Sequence, residues 1–221
     1  MTDEEILRHI DHTLLKAVSS WAEIEKLCTE AVRFKTASVC VPPSYVKPIR
    51  NAFGDGLVIC TVIGFPLGYS VSAVKIREAE TALAEGAAEL DMVINLGDIK
   101  NNDFHKVQDE ISALKKITGN RILKVIVETC YLTREEKIRL CEIVTQSGAN
   151  YIKTSTGFGT AGAALEDVLL FREHIGQGVK IKAAGGVKTR EDLNKFIDAG
   201  CDRIGTSSAV ALLTGGTAGA Y

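Results

Sequence analysis

The chain of 221 residues is poor in proline and aromatic residues and carries little net charge. It has only four prolines, all between Pro42 and Pro66, and aromatic residues make up 6% of it. Its 26 basic and 28 acidic residues give a formal net charge of -2. Because proteins that bind nucleic acid concentrate basic charge on one surface, this balance predicts no nucleic-acid partner.

Signals for membranes and secretion are also absent from the sequence. No apolar run approaches the ~18 residues of a membrane span, and no basic amphipathic segment suggests a membrane surface. The amino terminus, Met1–Glu5, is acidic and polar, unlike a secretory signal. The six cysteines are scattered without a C-x-x-C pair, which favours reduced thiols. We therefore expect a cytoplasmic protein with no membrane partner.

Metal and nucleotide motifs are missing as well. None of the four histidines forms H-x-x-x-H or H-E-x-x-H, and for His12, in the first apolar run, we expect a structural role. There is no P-loop, no G-x-S-x-G, and no G-x-G-x-x-G after the first apolar run. We predict neither a metal nor a cofactor.

What the sequence does contain is a repeated pair of segments, a short apolar run followed by a longer amphipathic one. The runs start mostly about 20 to 33 residues apart, the length of one strand and one helix. Eight strands are predicted: Ile10–Leu14, Thr36–Val41, Leu57–Gly64, Ala88–Asn95, Arg121–Thr129, Asn150–Ser155, Val179–Ala184 and Arg203–Ser207. Helices are predicted at Trp21–Phe34, Ser72–Gly86, Asn102–Gly119 and Thr133–Gly148, with another from Thr189 to Gly200 and a short helix-prone segment at Ala209–Leu213.

This alternation predicts a parallel sheet covered by helices. Eight units favour a closed (β/α)8 TIM barrel, and an open doubly wound sheet is the main alternative. We expect one domain over residues 1–221. The Gly- and Ala-rich end, Thr214–Tyr221, is predicted to be a flexible tail.

Three predicted strands contain a lysine where a barrel interior favours apolar residues: Lys124, Lys153 and Lys182. An unpaired buried ammonium costs several kcal/mol, so each must find an acid or lose its proton. Asp91 is a candidate partner, and Glu128 is a second one close to Lys124. The alternative is a set of structural ion pairs, or lysines that face the helices.

Lys153 and Lys182 lie on consecutive strands near the carboxyl ends, which form the active-site face of a barrel. Two neighbouring ammonium groups repel each other, and this lowers the pKa of one of them. We predict that Lys153 attacks a carbonyl to form a Schiff base, and that Lys182 stays protonated and shuttles a proton. Lys124 is expected to be structural because it lies deeper in its strand.

Small residues after the last three strands indicate a phosphate site. The sixth strand ends in Thr154–Gly157, the seventh in Gly185-Gly186 and the eighth in Gly205–Ser208. Backbone N–H groups in such loops can approach an anion, and barrels often bind phosphate after strands seven and eight. Tight turns alone would also explain these glycines.

Together these residues resemble the deoxyribose-phosphate aldolase family of Schiff-base-forming class I aldolases. The similar segments follow one another in order along nearly the whole chain: Ile10–Leu14, Leu90–Val93, Leu123–Thr129, Lys153–Gly157, Lys182–Val187 and Gly205–Ser208. The resemblance implies reversible cleavage of 2-deoxy-D-ribose 5-phosphate to acetaldehyde and D-glyceraldehyde 3-phosphate. It also implies that the chain forms a homo-oligomer, a dimer or a tetramer.

The resemblance assigns roles to individual residues. Lys153 would form the imine, while Asp91 and Lys182 would relay protons. The substrate and its phosphate would be held by Thr156, Gly157, Gly185, Gly186, Gly205, Ser207 and Ser208. A terminal tyrosine, here Tyr221, would help to move the donor proton. Some relatives have a lysine where this chain has Phe158. Phosphate binding by this chain would therefore depend more on backbone amides and hydroxyl groups.

Two alternatives remain open from the sequence. One is a related Schiff-base aldolase that acts on another phosphorylated aldose. The other is a non-catalytic barrel that binds a phosphate ligand. Such a barrel would not need Lys153, Lys182 and Asp91 together, because buried charges are costly.

Overall fold

The protein is a closed barrel of eight parallel strands, as described by a computed structural model for residues 1–215. Each strand pairs with the next, and β8 closes the barrel against β1. The strands are β1 (Ile10–Thr13), β2 (Ser38–Val41), β3 (Ile59–Ile63), β4 (Glu89–Val93), β5 (Ile122–Ile126), β6 (Tyr151–Lys153), β7 (Lys180–Ala184) and β8 (Arg203–Thr206). The predicted TIM barrel is confirmed, and the open sheet is excluded.

Helices separate the strands and form the outer layer. They are α1 (Asp3–Leu7), α2 (Trp21–Phe34), α3 (Val46–Phe53), α4 (Ser72–Ala84), α5 (Leu96–Lys100), α6 (Phe104–Thr118), α7 (Arg134–Gln146), α8 (Leu165–His174), α9 (Arg190–Asp198) and α10 (Ala209–Leu213). The predicted helices correspond to α2, α4, α6, α7, α9 and α10. Within the described residues, no helix is both long enough and apolar enough to cross a membrane.

Three of the four helices that the sequence pattern missed lack its signals. α1 and α5 have five residues each, too few to show a helical period. α8 follows Ala164, which provides no side-chain cap. In contrast, α7 begins with the predicted capping box, in which Thr133 and Glu136 each accept a hydrogen bond from the other's backbone N–H.

The hydrophobic core lies between the barrel and the helices. α2 buries Ile24, Leu27, Cys28 and Ala31, the apolar face that its sequence predicts. Inside the barrel, strand register places charged side chains side by side. Asp91 is opposite Lys124, and Lys153 is opposite Lys182. Thus the strand lysines of the sequence meet within one closed space.

The predicted carboxyl-terminal tail lies almost entirely outside the part of the chain that the structure describes. Only Thr214 and Gly215 of it are included, and Tyr221 is not. The tail and the role of Tyr221 therefore stay predictions.

Candidate active site

One carboxylate joins all three strand lysines. The Oδ2 atom of Asp91 lies 2.7 Å from the Nζ of Lys153 and 2.7 Å from the Nζ of Lys182. Its Oδ1 atom accepts a hydrogen bond from Lys124 at 2.9 Å. All four side chains are buried. The structure therefore brings together the three residues predicted to be catalytic, and adds Lys124 to them.

A second group of charges lies beneath this carboxylate. Asp11 Oδ2 is 2.5 Å from the Nζ of Lys182, and Glu89 Oε2 is 2.6 Å from the Nζ of Lys124. Arg203 pairs with both acids, at 2.6 Å to Asp11 and 3.2 Å to Glu89. We call this whole set the inner cluster: Asp11, Glu89, Asp91, Lys124, Lys153, Lys182 and Arg203. It holds four basic and three acidic side chains.

The sequence reasoning missed Asp11, Glu89 and Arg203 as members of this set. All three are charged residues within predicted strands, so the signal that drew attention to the lysines was present for them too. What the sequence lacks is the register, which sets β1, β4 and β8 around the same space. A search for every charged residue in a strand would have found them.

The charges of the inner cluster stabilise the ionised forms of Asp91 and Lys182. Burial alone would raise the pKa of Asp91, but Lys124, Lys153 and Lys182 hold it well below the usual value. Burial alone would lower the pKa of Lys182, but Asp11 and Asp91 hold it well above the usual value. Lys182 is thus a stable cation. The expectation of a simple repelling pair was incomplete, since Asp91 lies between Lys182 and Lys153.

Lys153 differs from the other two lysines because it faces open space. It lines a cavity of about 260 Å³ at the carboxyl ends of the strands, whereas Lys124 and Lys182 do not line it. The cavity is also lined by most of the residues predicted to hold phosphate: Thr156, Gly157, Gly185, Gly186, Gly205 and Ser208. Ser207 is not among the lining residues. A lysine that sequence reasoning overlooked, Lys188, lines the cavity directly after Val187.

Two of the cavity glycines are required by backbone conformation or by space. Gly185 has a φ of 79°, a backbone conformation that residues with a side chain rarely adopt. A Cβ atom on Gly205 would lie 3.2 Å from the Cε of Lys182, so glycine leaves room for that lysine. Turn geometry and packing therefore account for part of the glycine pattern.

Glu128 does not pair with Lys124 as the sequence suggested. The acidic partners of Lys124 are Asp11, Glu89 and Asp91. Glu128 follows β5, and its carboxylate accepts hydrogen bonds from the backbone N–H of Thr156, at 3.1 Å, and from the hydroxyl of the same residue. Burial raises the pKa of Glu128 above its usual value. The predicted Lys124–Glu128 pair is wrong because the strand end turns Glu128 towards the loop after β6.

Two possible ligand sets for a metal occur at the cluster, Cys40–Cys60–Asp91 and Asp11–Cys60–Glu89, but the neighbouring cations disfavour a metal ion there. The thiols of Cys40 and Cys60 and a carboxylate oxygen of Asp91 lie within 4.8 Å of one another. However, Asp91 already pairs with three ammonium groups, which repel a further positive charge. Burial also raises the pKa of Cys60 well above the usual value, whereas a metal needs the thiolate. His12 belongs to neither group of possible ligands among the described residues, and its Nε2 atom pairs with Glu30 of α2 at 2.9 Å.

Comparison with known proteins gives one consistent family. The model of the DeoC/LacD family aldolases matches residues 6–218. A deoxyribose-phosphate aldolase from Clostridium botulinum (strain Alaska E43 / Type E3) is 61% identical over 215 residues, 97% of each chain. One from Clostridioides difficile (strain 630) is 55% identical over 210 residues, 95% of this chain and 96% of the relative.

Solved structures agree with the sequence relatives. A deoxyribose phosphate aldolase from Aeropyrum pernix, described as having a unique tetrameric structure, superposes with a TM-score of 0.90 at 32% identity and covers 96% of this chain and 91% of its own. A putative deoxyribose-phosphate aldolase from Coccidioides immitis gives 0.93 at 36% identity, with 97% and 87% covered.

Proposed function

The chain belongs to the DeoC/LacD family of aldolases and reversibly cleaves 2-deoxy-D-ribose 5-phosphate to acetaldehyde and D-glyceraldehyde 3-phosphate; we propose that it does so through a Schiff base on Lys153. The observation that carries this proposal is the position of Lys153. Of the three buried strand lysines, it is the one that lines the cavity. The other two are enclosed by acids.

The chemistry requires an amine at this position. The neutral amine of Lys153 adds to the C1 aldehyde of the open-chain sugar, and loss of water leaves a protonated imine. When the C2–C3 bond breaks, the C3 hydroxyl loses its proton and becomes the aldehyde of glyceraldehyde 3-phosphate. The electron pair of the broken bond moves into the imine to give an enamine. Protonation of the enamine at C2 and hydrolysis release acetaldehyde and the free lysine.

Asp91 and Lys182 are positioned to move the protons. Asp91 Oδ2 lies 2.7 Å from the nitrogen of each lysine, within hydrogen-bond reach of both. Asp11 and Asp91 raise the pKa of Lys182, so that its ammonium group donates hydrogen bonds. We assign to this pair the transfer of protons to and from Lys153 and the reacting hydroxyl groups.

The loops after β6, β7 and β8 are the proposed phosphate site. Gly157, Gly185, Gly186 and Gly205 offer backbone around one cavity, and Ser208 offers a hydroxyl to it where α10 begins. Ser207 precedes Ser208 but does not line the cavity. Lys188 adds a positive charge at the same cavity. Its charge replaces in part that of the lysine that some relatives have where this chain has Phe158. The Phe158 side chain is 49% exposed and packs on Phe65.

Borohydride trapping tests the covalent step. The protein is reduced in the presence of acetaldehyde, digested and mapped by mass spectrometry. We expect a two-carbon adduct on Lys153 and none in the Lys153→Arg variant, because a guanidinium stays protonated and forms no imine. An adduct on another lysine, or none at all, would contradict the mechanism. Rates with deoxyribose 5-phosphate and ribose 5-phosphate separate this substrate from a related aldose.

Three further proposals accompany this function. Tyr221, beyond the described residues, moves the donor methyl proton. If exchange of the acetaldehyde methyl protons is unchanged after deletion of Tyr221, this proposal is wrong.

The chain forms a homo-oligomer, which the tetrameric relative supports and which light scattering would test. It works in the reducing cytoplasm, as its six free cysteines suggest.

A further inference from the structure

Glu128 is a buried carboxylate that the mechanism above does not use. It is 3% exposed and has a φ of 54°, a conformation uncommon for a residue with a side chain. The hydrogen bonds that its carboxylate accepts within the described residues all come from Thr156. Thr156 itself lines the cavity next to Lys153. Glu128 is therefore one side chain removed from the substrate.

The hydrogen bonds of the Thr156 hydroxyl leave one kind of contact open to a ligand. A hydroxyl has one proton and two lone pairs. The proton of Thr156 is donated to Glu128, and one lone pair accepts the backbone N–H of Phe158 at 2.9 Å. What remains is a single lone pair, which can only accept. In this arrangement Thr156 cannot donate to a substrate atom.

We propose that Glu128 is a positioning residue that fixes the Thr156 hydroxyl as a hydrogen-bond acceptor towards the cavity, so that this point of the site selects a substrate atom able to donate. The inference rests on the proposed function. Among the hydroxyls of open-chain deoxyribose 5-phosphate, the one on C3 gives up its proton in the cleavage itself. This leaves the C4 hydroxyl to donate a hydrogen bond to the Thr156 hydroxyl.

The loop after β6 packs against the carboxylate of Glu128. A Cβ atom on Gly159 would lie 3.2 Å from Cδ of Glu128 and 2.9 Å from the sulfur of Cys130. The loop after β6 thus closes directly on the carboxylate. Both Oε1 and Oε2 are directed at Thr156, and these contacts orient its hydroxyl.

The isosteric Glu128→Gln substitution should reverse the polarity. The backbone nitrogen of Thr156 lies 3.1 Å from Oε1 and 3.3 Å from Oε2, so a glutamine NH2 group is repelled more strongly by this N–H in the place of Oε1. The amide oxygen takes that place, and the NH2 group faces the Thr156 hydroxyl. The hydroxyl then accepts from the amide and from Phe158, and its own proton turns to the cavity. Thr156 becomes a donor.

Two substrates that differ at C4 show whether the Thr156 hydroxyl accepts or donates a hydrogen bond. We compare kcat/KM for cleavage of 2-deoxy-D-ribose 5-phosphate with that of its 2,4-dideoxy-4-fluoro analogue, whose fluorine accepts but cannot donate. Ring opening and the electronic effect of fluorine differ between the sugars but not between protein variants. The measured quantity is therefore the hydroxyl-to-fluorine ratio of each variant relative to the unmodified protein.

We expect this ratio to fall at least about tenfold in Glu128→Gln and in Thr156→Val, because both remove the accepting lone pair. Thr156→Ser keeps the hydroxyl and should keep the ratio. The double variant Glu128→Gln/Thr156→Val should have the ratio of Thr156→Val alone, since Glu128 acts through that hydroxyl. Glu142→Gln on the exposed side of α7 makes the same change of charge and should leave the ratio unchanged.

The outcomes separate this inference from the function on which it rests. If the unmodified protein does not cleave deoxyribose 5-phosphate, the proposed function itself fails. If it does, and Glu128→Gln keeps the original ratio while losing overall rate, Glu128 only stabilises the loop and the inference is wrong. Independent, additive losses in the double variant would also overturn it.

Discussion

Two buried groups in this protein both consist of lysine–carboxylate ion pairs but have different surroundings. Outside the barrel, between α4 and α6, the outer pair consists of Lys75 and Glu110, joined at 2.8 Å. Lys75 also donates to the carbonyl of Val93, and Ser72 donates to Glu110. The inner cluster lies within the barrel around Asp91. Its Lys153 opens onto the cavity, whereas the side chains of the outer pair line none of the cavities described.

Under the proposed function the inner cluster is reactive and the outer pair is structural, and the two groups differ in their charge balance and in their access to the cavity. In the outer pair one cation meets one anion, and protein groups occupy their further hydrogen bonds. In the inner cluster four basic groups share three acidic ones, and Lys153 both pairs with Asp91 and faces the cavity. Burial of charge is common to both. An excess of cations and an open face belong only to the inner cluster.

The largest effect that separates the two groups is expected from Lys182→Met. Removing a proton donor of the inner cluster should lower kcat about 10²- to 10⁴-fold. Because Lys153 is still present, borohydride should still trap acetaldehyde on it. A thermal unfolding curve must show that the variant is folded. Unchanged kcat would mean that Lys182 only balances charge, as Lys75 does with Glu110.

Lys75→Met tests the other side of the comparison. It leaves Glu110 buried without its cation, which should lower the free energy of unfolding by about 3–5 kcal/mol. The rate per folded molecule should not change. In the double variant Lys75→Met/Glu110→Leu, most of the stability should return, since no lone charge remains. Chemical denaturation measures the first effect, and a loss of kcat in folded protein would contradict the assignment.

The sequence distinguishes these groups only in part. Lys153 and Lys182 could be identified because a lysine interrupts an apolar strand, and their place at the strand ends follows from the barrel. Lys75 lies in a helix among other charged residues, where nothing marks it as buried. Its burial depends on how α4 packs on α6, which is a contact between segments far apart in the chain.

The partners of the strand lysines were also beyond the sequence. Glu128 was expected beside Lys124 because the two are close in the chain, but the left-handed conformation of Glu128 directs it to Thr156. Asp11 and Glu89 reach the cluster through the closure of the barrel. Local pattern thus predicted which residues are unusual, and the register decided what they touch.

Acid should weaken the inner cluster in a defined range. Lysines hold the pKa of Asp11 and Asp91 below their usual values in the folded state, although burial opposes this. Such carboxylates stabilise the fold above their unfolded-state pKa, and this stability is lost as the pH falls through the folded value. The free energy of unfolding should therefore decline from about pH 4 downwards.

Asp11→Asn should flatten this decline by on the order of 2 kcal/mol and lower stability near neutral pH. The exposed Asp198→Asn on α9 provides a control with the same change of charge. Denaturant unfolding at several pH values measures both variants. Curves for Asp11→Asn that run parallel to those of the unmodified protein would show that Asp11 does not stabilise the cluster through its charge.

The smallest expected effect concerns Cys60, which touches the inner cluster without belonging to it. Its thiol donates to Asp91 Oδ1 at 3.1 Å and accepts from Lys124 at 3.3 Å. Cys60→Ala removes both contacts, but Lys124 keeps Asp91 and Glu89. Because one hydrogen bond contributes about 0.5–1.5 kcal/mol, kcat should fall roughly two- to tenfold.

Cys141→Ala on α7 is the matched control for this thiol. Cys141 is as deeply buried as Cys60 but packs in the core outside the barrel, so it should lose stability to a similar extent without any loss of kcat. Steady-state rates and melting curves of the two variants give the comparison. A loss above about 100-fold in Cys60→Ala exceeds what one hydrogen bond supplies. Such a loss would mean that the thiol takes part in the proton relay, so that a residue of β3 would belong to the proposed active site together with Lys153 and Asp91.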